Sequence, residues 1–341
     1  MSRQGERRRR GAAFLLGSLL WLASAAGVQP TAQAADLKAD VLIPVGHTIG
    51  IKLFSEGVVV VGLAEVETEK GRATPGADCG LRVGDVIEEV NGREVSSSEE
   101  FASSIQCGGT VRLGVSRQGE ELTLAAEPVR GEDGAYRLGA WGRGSIAGIG
   151  TVTFYDPATG AFGALGHGVT DSDTGLLMPL GDGAVMGSTV KAVKRGAPGA
   201  PGELRGDFDL THDMGTLHAN TERGVFGTLD GGGFAGKAVP VAASAEIRPG
   251  PAVILSNVEG DRVEAYDIEI VRVLRQQDTR DLLIQVTDDR LIQKTGGIVQ
   301  GMSGSPIMQN GKLVGAVTHV MVNDPTRGYG IFIENMLTAA K

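Results

Sequence analysis

From residue 38 onward no apolar run stays long: stretches of Val, Ile, Leu and Ala are cut every few residues by glycine, of which the chain has 53 in 341. Apolar residues recurring every three or four positions would specify helices, whereas short runs between turn-forming residues specify strands. Glycine also weakens helix interiors and supplies the positive φ and the close backbone approaches that tight turns need. A mainly β protein follows. At this length two domains are expected, because single hydrophobic cores stop growing beyond about 250–300 residues.

Residues 1–34 differ from the rest. Arg7, Arg8, Arg9 and Arg10 precede an uncharged stretch with Phe14, Leu15, Leu16, Leu19, Leu20, Trp21 and Leu22 at its centre, and Ala32-Gln33-Ala34 has the small residues of a signal peptidase site. This pattern predicts export, with cleavage before Ala35. The alternative is an uncleaved anchor, since the 11–28 run is close to the ~18 residues that begin to span a bilayer. Both put the remainder outside the cytoplasm. Without residues 1–34 the chain keeps 27 basic and 40 acidic side chains, a net charge near −13. That balance argues against nucleic acid or anionic lipid as the main partner and leaves polypeptides open. Cys79 and Cys107 are the two cysteines; export permits a disulfide between them, but two separate buried thiols are expected.

Over residues 38–128 the strand signals are dense. Gly57–Gly62 is a continuous apolar run, Gly84-Asp85 a turn, Val86–Val90 a strand, and Asn91-Gly92 a type I′ hairpin turn. Ser97 or Ser98 caps a helix running through Ile105, with Glu99 and Glu100 in its first turn. This segment resembles a PDZ domain, chiefly over Leu81–Gly92. Such domains add a peptide as an extra strand and receive its terminal carboxylate on backbone amides, which implies Ile49, Gly50 and Ile51 as the peptide-binding loop. Residues 129–148 read as a glycine- and charge-rich connector. Residues 149–341 show short strands to the end, the pattern of an antiparallel β-barrel domain.

Gly301-Met302-Ser303-Gly304-Ser305-Pro306 is the most informative stretch. A nucleophilic hydroxyl needs a tight turn that exposes it and amides aimed at the oxyanion it creates. Glycines around Ser303 supply both, with the Gly301 and Ser303 amides as the oxyanion donors. The base must be a histidine. His167, between Gly166 and Gly168, is the best candidate, while His319 reads as structural and His212 and His218 as part of a polar loop. A metal hydrolase built on His212, Asp213 and His218 is disfavoured, because the gap between the histidines does not place two ligands on one helical face. The orienting carboxylate is Asp288 or Asp289, at the end of an apolar strand; only one of the two can point inward. Asp171 and Asp173, nearer His167 in sequence, read as solvated loop acids.

Gly166-His167-Gly168, Thr287-Asp288, the run from Lys294 to Ile307, and Gly315–His319 through Asn323–Thr326 resemble the stage IV sporulation protein B family of PDZ-containing serine peptidases. The resemblance implies a trypsin-like double β-barrel with His167 as base, Asp288 as orienting acid and Ser303 as nucleophile, and no cofactor or metal. It also implies an exported endopeptidase of the space between the forespore membranes. There the family cleaves a membrane-bound regulator of an intramembrane metalloprotease, and itself. The competing expectation is a non-catalytic PDZ scaffold with a vestigial barrel.

Overall fold

The computed structural model describes residues 40–275 and 279–341; the export segment expected over 1–34 lies outside the described residues. Strands dominate. β1 (Thr48–Leu63) is followed by β2 (Val86–Val90), helix α1 (Ser98–Ser104), β3 (Val111–Arg117), β4 (Glu120–Ala126) and β5 (Ala140–Tyr155). Next come β6 (Ala161–Ala164), β7 (Asp182–Lys194), β8 (Glu203–Thr221) and β9 (Gly224–Leu229). The last third holds β10 (Gly250–Asn257), β11 (Val263–Val273), β12 (Leu282–Val286), α2 (Asp289–Thr295), β13 (Pro306–Gln309), β14 (Lys312–Met321) and β15 (Asp324–Phe332).

The pairings close two rings. β1 pairs with β5 and β7, β5 with β6, β6 with β9, β9 with β8, and β8 with β7, all antiparallel. Strands β10, β11, β12, β15, β14 and β13 form a second closed barrel. Closure leaves no open sheet edge within either ring, and it delivers the double β-barrel expected of the peptidase domain. Ile49, Ile51, Phe162 and Leu217 fill the first barrel, and Ile254, Ile268, Ile284 and Val317 the second.

The PDZ domain grows out of the first barrel. The far half of β1 and the near half of β5 run on beyond it and enclose a separate core with β2, β3, β4 and α1, built on Val58, Ile87, Phe101, Leu113 and Leu138. Its turns follow the local chemistry. Asn91 and Gly92 both have positive φ, and the Ser97 side chain accepts a hydrogen bond from the Glu100 amide at the start of α1.

Strand layout draws the boundaries differently from 38–128 and 129–148. Residues 48–54 pair with β5 and β7 in the first barrel, and 140–148, read as a connector, are part of β5. Glu56-Gly57 and the glycines from 142 to 150 look like breaks. Long antiparallel pairing holds both segments extended, which local sequence cannot report. Residues 203–221, read partly as a polar loop, are the longest strand. Near the serine turn, Gln300 makes a single parallel bridge to Glu203.

Candidate active site

Ser303 sits in the turn before β13. Gly301 and Gly304 there have φ of 97° and 96°, a region L side chains rarely adopt. Space excludes a side chain as well: a Cβ on Gly304 would lie 1.9 Å from the Thr151 carbonyl oxygen. The turn belongs to the second barrel but is held by β5 of the first. Thr151 N–H donates to the Ser303 carbonyl (3.0 Å) and Thr151 Oγ1 to the Gly301 carbonyl (2.7 Å). Thr153 Oγ1 donates to the Gly304 carbonyl (2.8 Å). Both threonines are fully buried, so these bonds compete with no solvent. The Gly301 and Ser303 amides donate to no group among the described residues. Ser303 Oγ donates to the Thr318 carbonyl on β14 (2.8 Å).

His167 follows β6 through a bend in which Leu165 and Gly166 both have φ of 68°. The left-handed region costs a leucine about 1–2 kcal/mol, offset here by burial of its side chain and by the bond from its amide to the Thr151 carbonyl (3.1 Å). One residue of β5, Thr151, thus joins the bend that carries His167 to the turn that carries Ser303. His167 Nδ1 lies 2.8 Å from the Gly168 carbonyl. A carbonyl only accepts, so the ring proton sits on Nδ1 and Nε2 keeps its lone pair. Burial holds the His167 pKa below the usual histidine range, partly opposed by that bond. The His319 ring is 5.2 Å away, centroid to centroid. Burial, then His167 and Arg280 beside it, push His319 down to about 4. Both imidazoles are therefore neutral at pH 7. His167, His319, Gly301, Ser303 and Thr318 line one cleft of about 670 Å³, in whose wall Glu222 is the carboxylate.

Asp288 is the buried member of its pair and Asp289 is exposed, although both lie past the end of the strand, at the start of α2. Its carboxylate faces elsewhere. Asp288 caps α2, accepting from the Arg290 amide (2.9 Å), from the Arg290 guanidinium (3.1 and 2.7 Å) and from the Asp267 amide (3.2 Å). The Arg290 guanidinium leads these bonds in lowering its pKa, against burial, to about 2. The structure brings Ser303 and His167 into one cleft and does not bring Asp288 to His167.

The profile of the SpoIVB peptidase S55 family matches residues 134–337, more than half of the chain. The chain belongs to that family. A PDZ-domain profile matches residues 71–117 of this SpoIVB-family chain. A Lactococcus lactis protein named as a candidate zinc metalloprotease is 35% identical over 106 residues, 30% of this chain and 23% of that protein. The chain thus spans under a quarter of that curated relative. Solved PDZ domains of SdrC-like proteins from Listeria monocytogenes and Listeria innocua match 26% of this chain at 24% and 23% identity. They are covered over 87% and 93% of their lengths, with a TM-score of 0.21 each.

Other candidates of this SpoIVB-family chain fall differently from expectation. Ile49, Gly50 and Ile51 lie inside β1, paired with β5 on one edge and β7 on the other, so no edge is open there for a peptide strand. A Cβ on Gly50 would meet the Phe208 ring at 2.5 Å, which makes that glycine a packing residue. Asp171 is fully buried rather than solvated: it pairs with Arg143 at 2.7 Å and accepts from the Thr174 amide and hydroxyl. His212 and His218 lie on strand β8, and His218 Nε2 meets Thr228 Oγ1 at 2.8 Å. Among the described residues no three His, Cys, Asp or Glu cluster as metal ligands. Cys79 is half-buried and Cys107 exposed, both free thiols. Thr151, Thr153 and the Gly168 carbonyl belong to ordinary strand and loop residues that give no signal in the sequence. His319, read as structural, stands beside His167 in the cleft, on the strand that follows the serine turn.

Proposed function

We propose that this chain is a serine endopeptidase. Ser303 attacks the peptide carbonyl and His167 Nε2 takes its proton. The Gly301 and Ser303 amides receive the oxyanion, and the amine leaves with the proton from His167. Water then adds to the acyl-enzyme, giving up a proton to His167, which passes it to Ser303 Oγ as the bond to the acyl group breaks and the acid product leaves. Turning Ser303 Oγ from the Thr318 carbonyl toward His167 completes the working geometry, since such contacts tighten when substrate binds. In this reading the Gly168 carbonyl fixes the histidine tautomer, and Asp288 would take the orienting role only by leaving Arg290.

One observation carries the proposal: two amides without an acceptor stand in the same cleft as a serine hydroxyl and an imidazole whose Nε2 is a base. Family membership supports the finer reading. The substrate is then a membrane-associated regulatory protein of sporulation signalling, the enzyme also cuts itself, and the chain works outside the cytoplasm, between the forespore membranes. A fluorophosphonate probe tests the chemistry, since it labels only an activated hydroxyl. Labelling of Ser303 that disappears in Ser303→Ala and in His167→Ala is expected. A specific observation favours the scaffold reading, namely that Ser303 Oγ is bonded to a carbonyl and no carboxylate among the described residues orients His167. Unlabelled Ser303 in the folded protein would establish that reading instead.

A further inference from the structure

Asp171 is fully buried, and the chemistry proposed above does not use it. It belongs to a small hairpin over residues 169–178 that follows the bend carrying His167. The Met178 amide donates to the Val169 carbonyl (3.0 Å) at the base of this hairpin, and Thr170 bridges Leu177 next to it. Asn220, at the end of β8, secures the base. Its Oδ1 accepts from the Val169 amide (2.8 Å), and its Nδ2 donates to the carbonyls of Val169 (2.9 Å) and Met178 (2.8 Å).

The tip of the hairpin is folded around the Asp171 carboxylate. Oδ1 accepts from the Asp173 amide (3.1 Å), the Thr174 amide (2.9 Å) and the Thr174 hydroxyl (2.9 Å). Oδ2 has a single partner among the described residues, Arg143 Nη1 at 2.7 Å. A carboxylate shielded from water is tolerated only when it is paired, so Arg143 is what keeps Asp171 in place. Arg143 is not part of the hairpin. It stands on β5 opposite Val59 of β1, in the half of the strand that runs beside the PDZ core. Its Nη2 reaches Asp173 at 2.8 Å, a largely exposed carboxylate that adds little.

The hairpin bears on the histidine through Gly168. A Cβ on Gly168 would lie 2.2 Å from Leu177 Cδ1 and 2.7 Å from the Thr221 carbonyl oxygen, so this residue is gripped between the hairpin and the end of β8. Its carbonyl is the acceptor for His167 Nδ1. We infer that Arg143 and Asp171 are positioning residues for His167: their ion pair holds the hairpin against Gly168, whose carbonyl keeps the ring proton on Nδ1 and the lone pair on Nε2. Without the pair, Leu177 moves off Gly168, the carbonyl turns, and the proton is no longer confined to one nitrogen. The inference rests on His167 being the base of the proposed peptidase, and it gives the PDZ half of β5 a part in the reaction.

The test uses the full chain carrying Ser303→Ala, so that its first readout is independent of turnover, with its histidines labelled with nitrogen-15. Long-range proton–nitrogen spectra at about pH 8, where an ordinary histidine is neutral, report which ring nitrogen of His167 carries the proton; comparison with His167→Gln identifies its signals. The proton should stay on Nδ1 in the parent and in Arg143→Lys, which keeps the charge. In Arg143→Met and in the milder Asp171→Asn it should spread over both nitrogens. Arg117→Met is the control, since it breaks the ion pair to an equally buried carboxylate, Asp85 (2.7 Å), and should lower the melting temperature without moving the His167 proton. With Ser303 intact, Arg143→Met should lower kcat for peptide cleavage by about 10²-fold, the scale of a small misplacement, with KM little changed, and Arg143→Lys should restore most of it. A proton that stays on Nδ1 in both Arg143→Met and Asp171→Asn, or that moves equally in Arg117→Met, overturns the inference. A proton that moves as expected in a parent without turnover upholds the positioning and refutes the peptidase reading instead.

Discussion

Ser303 and Asp288 belong to the same barrel, and both are held by several hydrogen bonds, but the bonds run in opposite directions. The Ser303 turn is tied across to the first barrel through Thr151 and Thr153. Asp288 is tied back to its own barrel through Arg290 and Asp267. The cross-barrel bonds hold the serine turn at the cleft, whereas the Asp288 carboxylate is taken up by Arg290 and Asp267. The difference teaches that closeness in sequence to the nucleophile does not make a carboxylate part of the site.

The largest effect belongs to the cleft itself. Ser303→Ala should reduce peptide cleavage by roughly 10⁶-fold, the size seen when a serine nucleophile is removed, with an unchanged melting temperature; retained turnover by the purified variant would sink the nucleophile assignment. Thr151→Val comes next. It keeps the shape but leaves the buried Gly301 carbonyl without its donor, which costs about 1–3 kcal/mol. Thermal unfolding should detect that loss together with a fall in kcat, whereas a fall in neither would mean that the cross-barrel bond does not hold the turn.

Asp288→Asn sharpens the comparison from the other side. Asn caps a helix as well as Asp does, so the variant loses only the ion pair to the largely exposed Arg290. That loss should cost at most about 1 kcal/mol and change kcat far less than His167→Ala does. A drop near 10⁴-fold, the scale of losing a triad acid, would mean that Asp288 reaches His167 in the working enzyme. The Asp288 pKa of about 2 lies below the ordinary aspartate value of about 3.9. Its contribution to stability is therefore complete above the ordinary value and is lost as pH falls toward 2. The melting-temperature gap between wild type and Asp288→Asn should close over that interval, and a gap that persists at pH 2 would contradict the ion pair. The smallest effect is in the pH profile. Because burial lowers the His167 pKa, the acid limb of kcat/KM should fall below the usual histidine value of about 6.5; a limb above it would indicate a charged partner for His167.

What the sequence made legible was local. Glycines beside Ser303 announce a tight turn with exposed amides, and Asn91-Gly92 and Ser97 announce a hairpin and a helix start. Leu282–Val286 reads as a strand because its ends are marked. What stayed hidden depends on pairing between distant segments. Nothing near Glu56-Gly57 says that β1 continues straight, nothing near Gly142 says that β5 has begun, and nothing near Asp288 says that Arg290 will claim its carboxylate. Asp171 looks solvated until Arg143 arrives from β5. An antiparallel barrel could be expected from strand density, and its doubling from the family resemblance, whereas the side of a barrel that each carboxylate faces could not.

β5 is a stave common to two vessels. At one end it helps enclose the PDZ core, and at the other Thr151 and Thr153 clamp the serine turn. Cutting the chain at residue 128 or 134 to free the PDZ domain would leave that domain without the β5 residues from Ala140 onward that pair with β1 beside its core. Extending the cut to 155 would take the strand but open the peptidase barrel. The two modules share material, so neither can be lifted out whole.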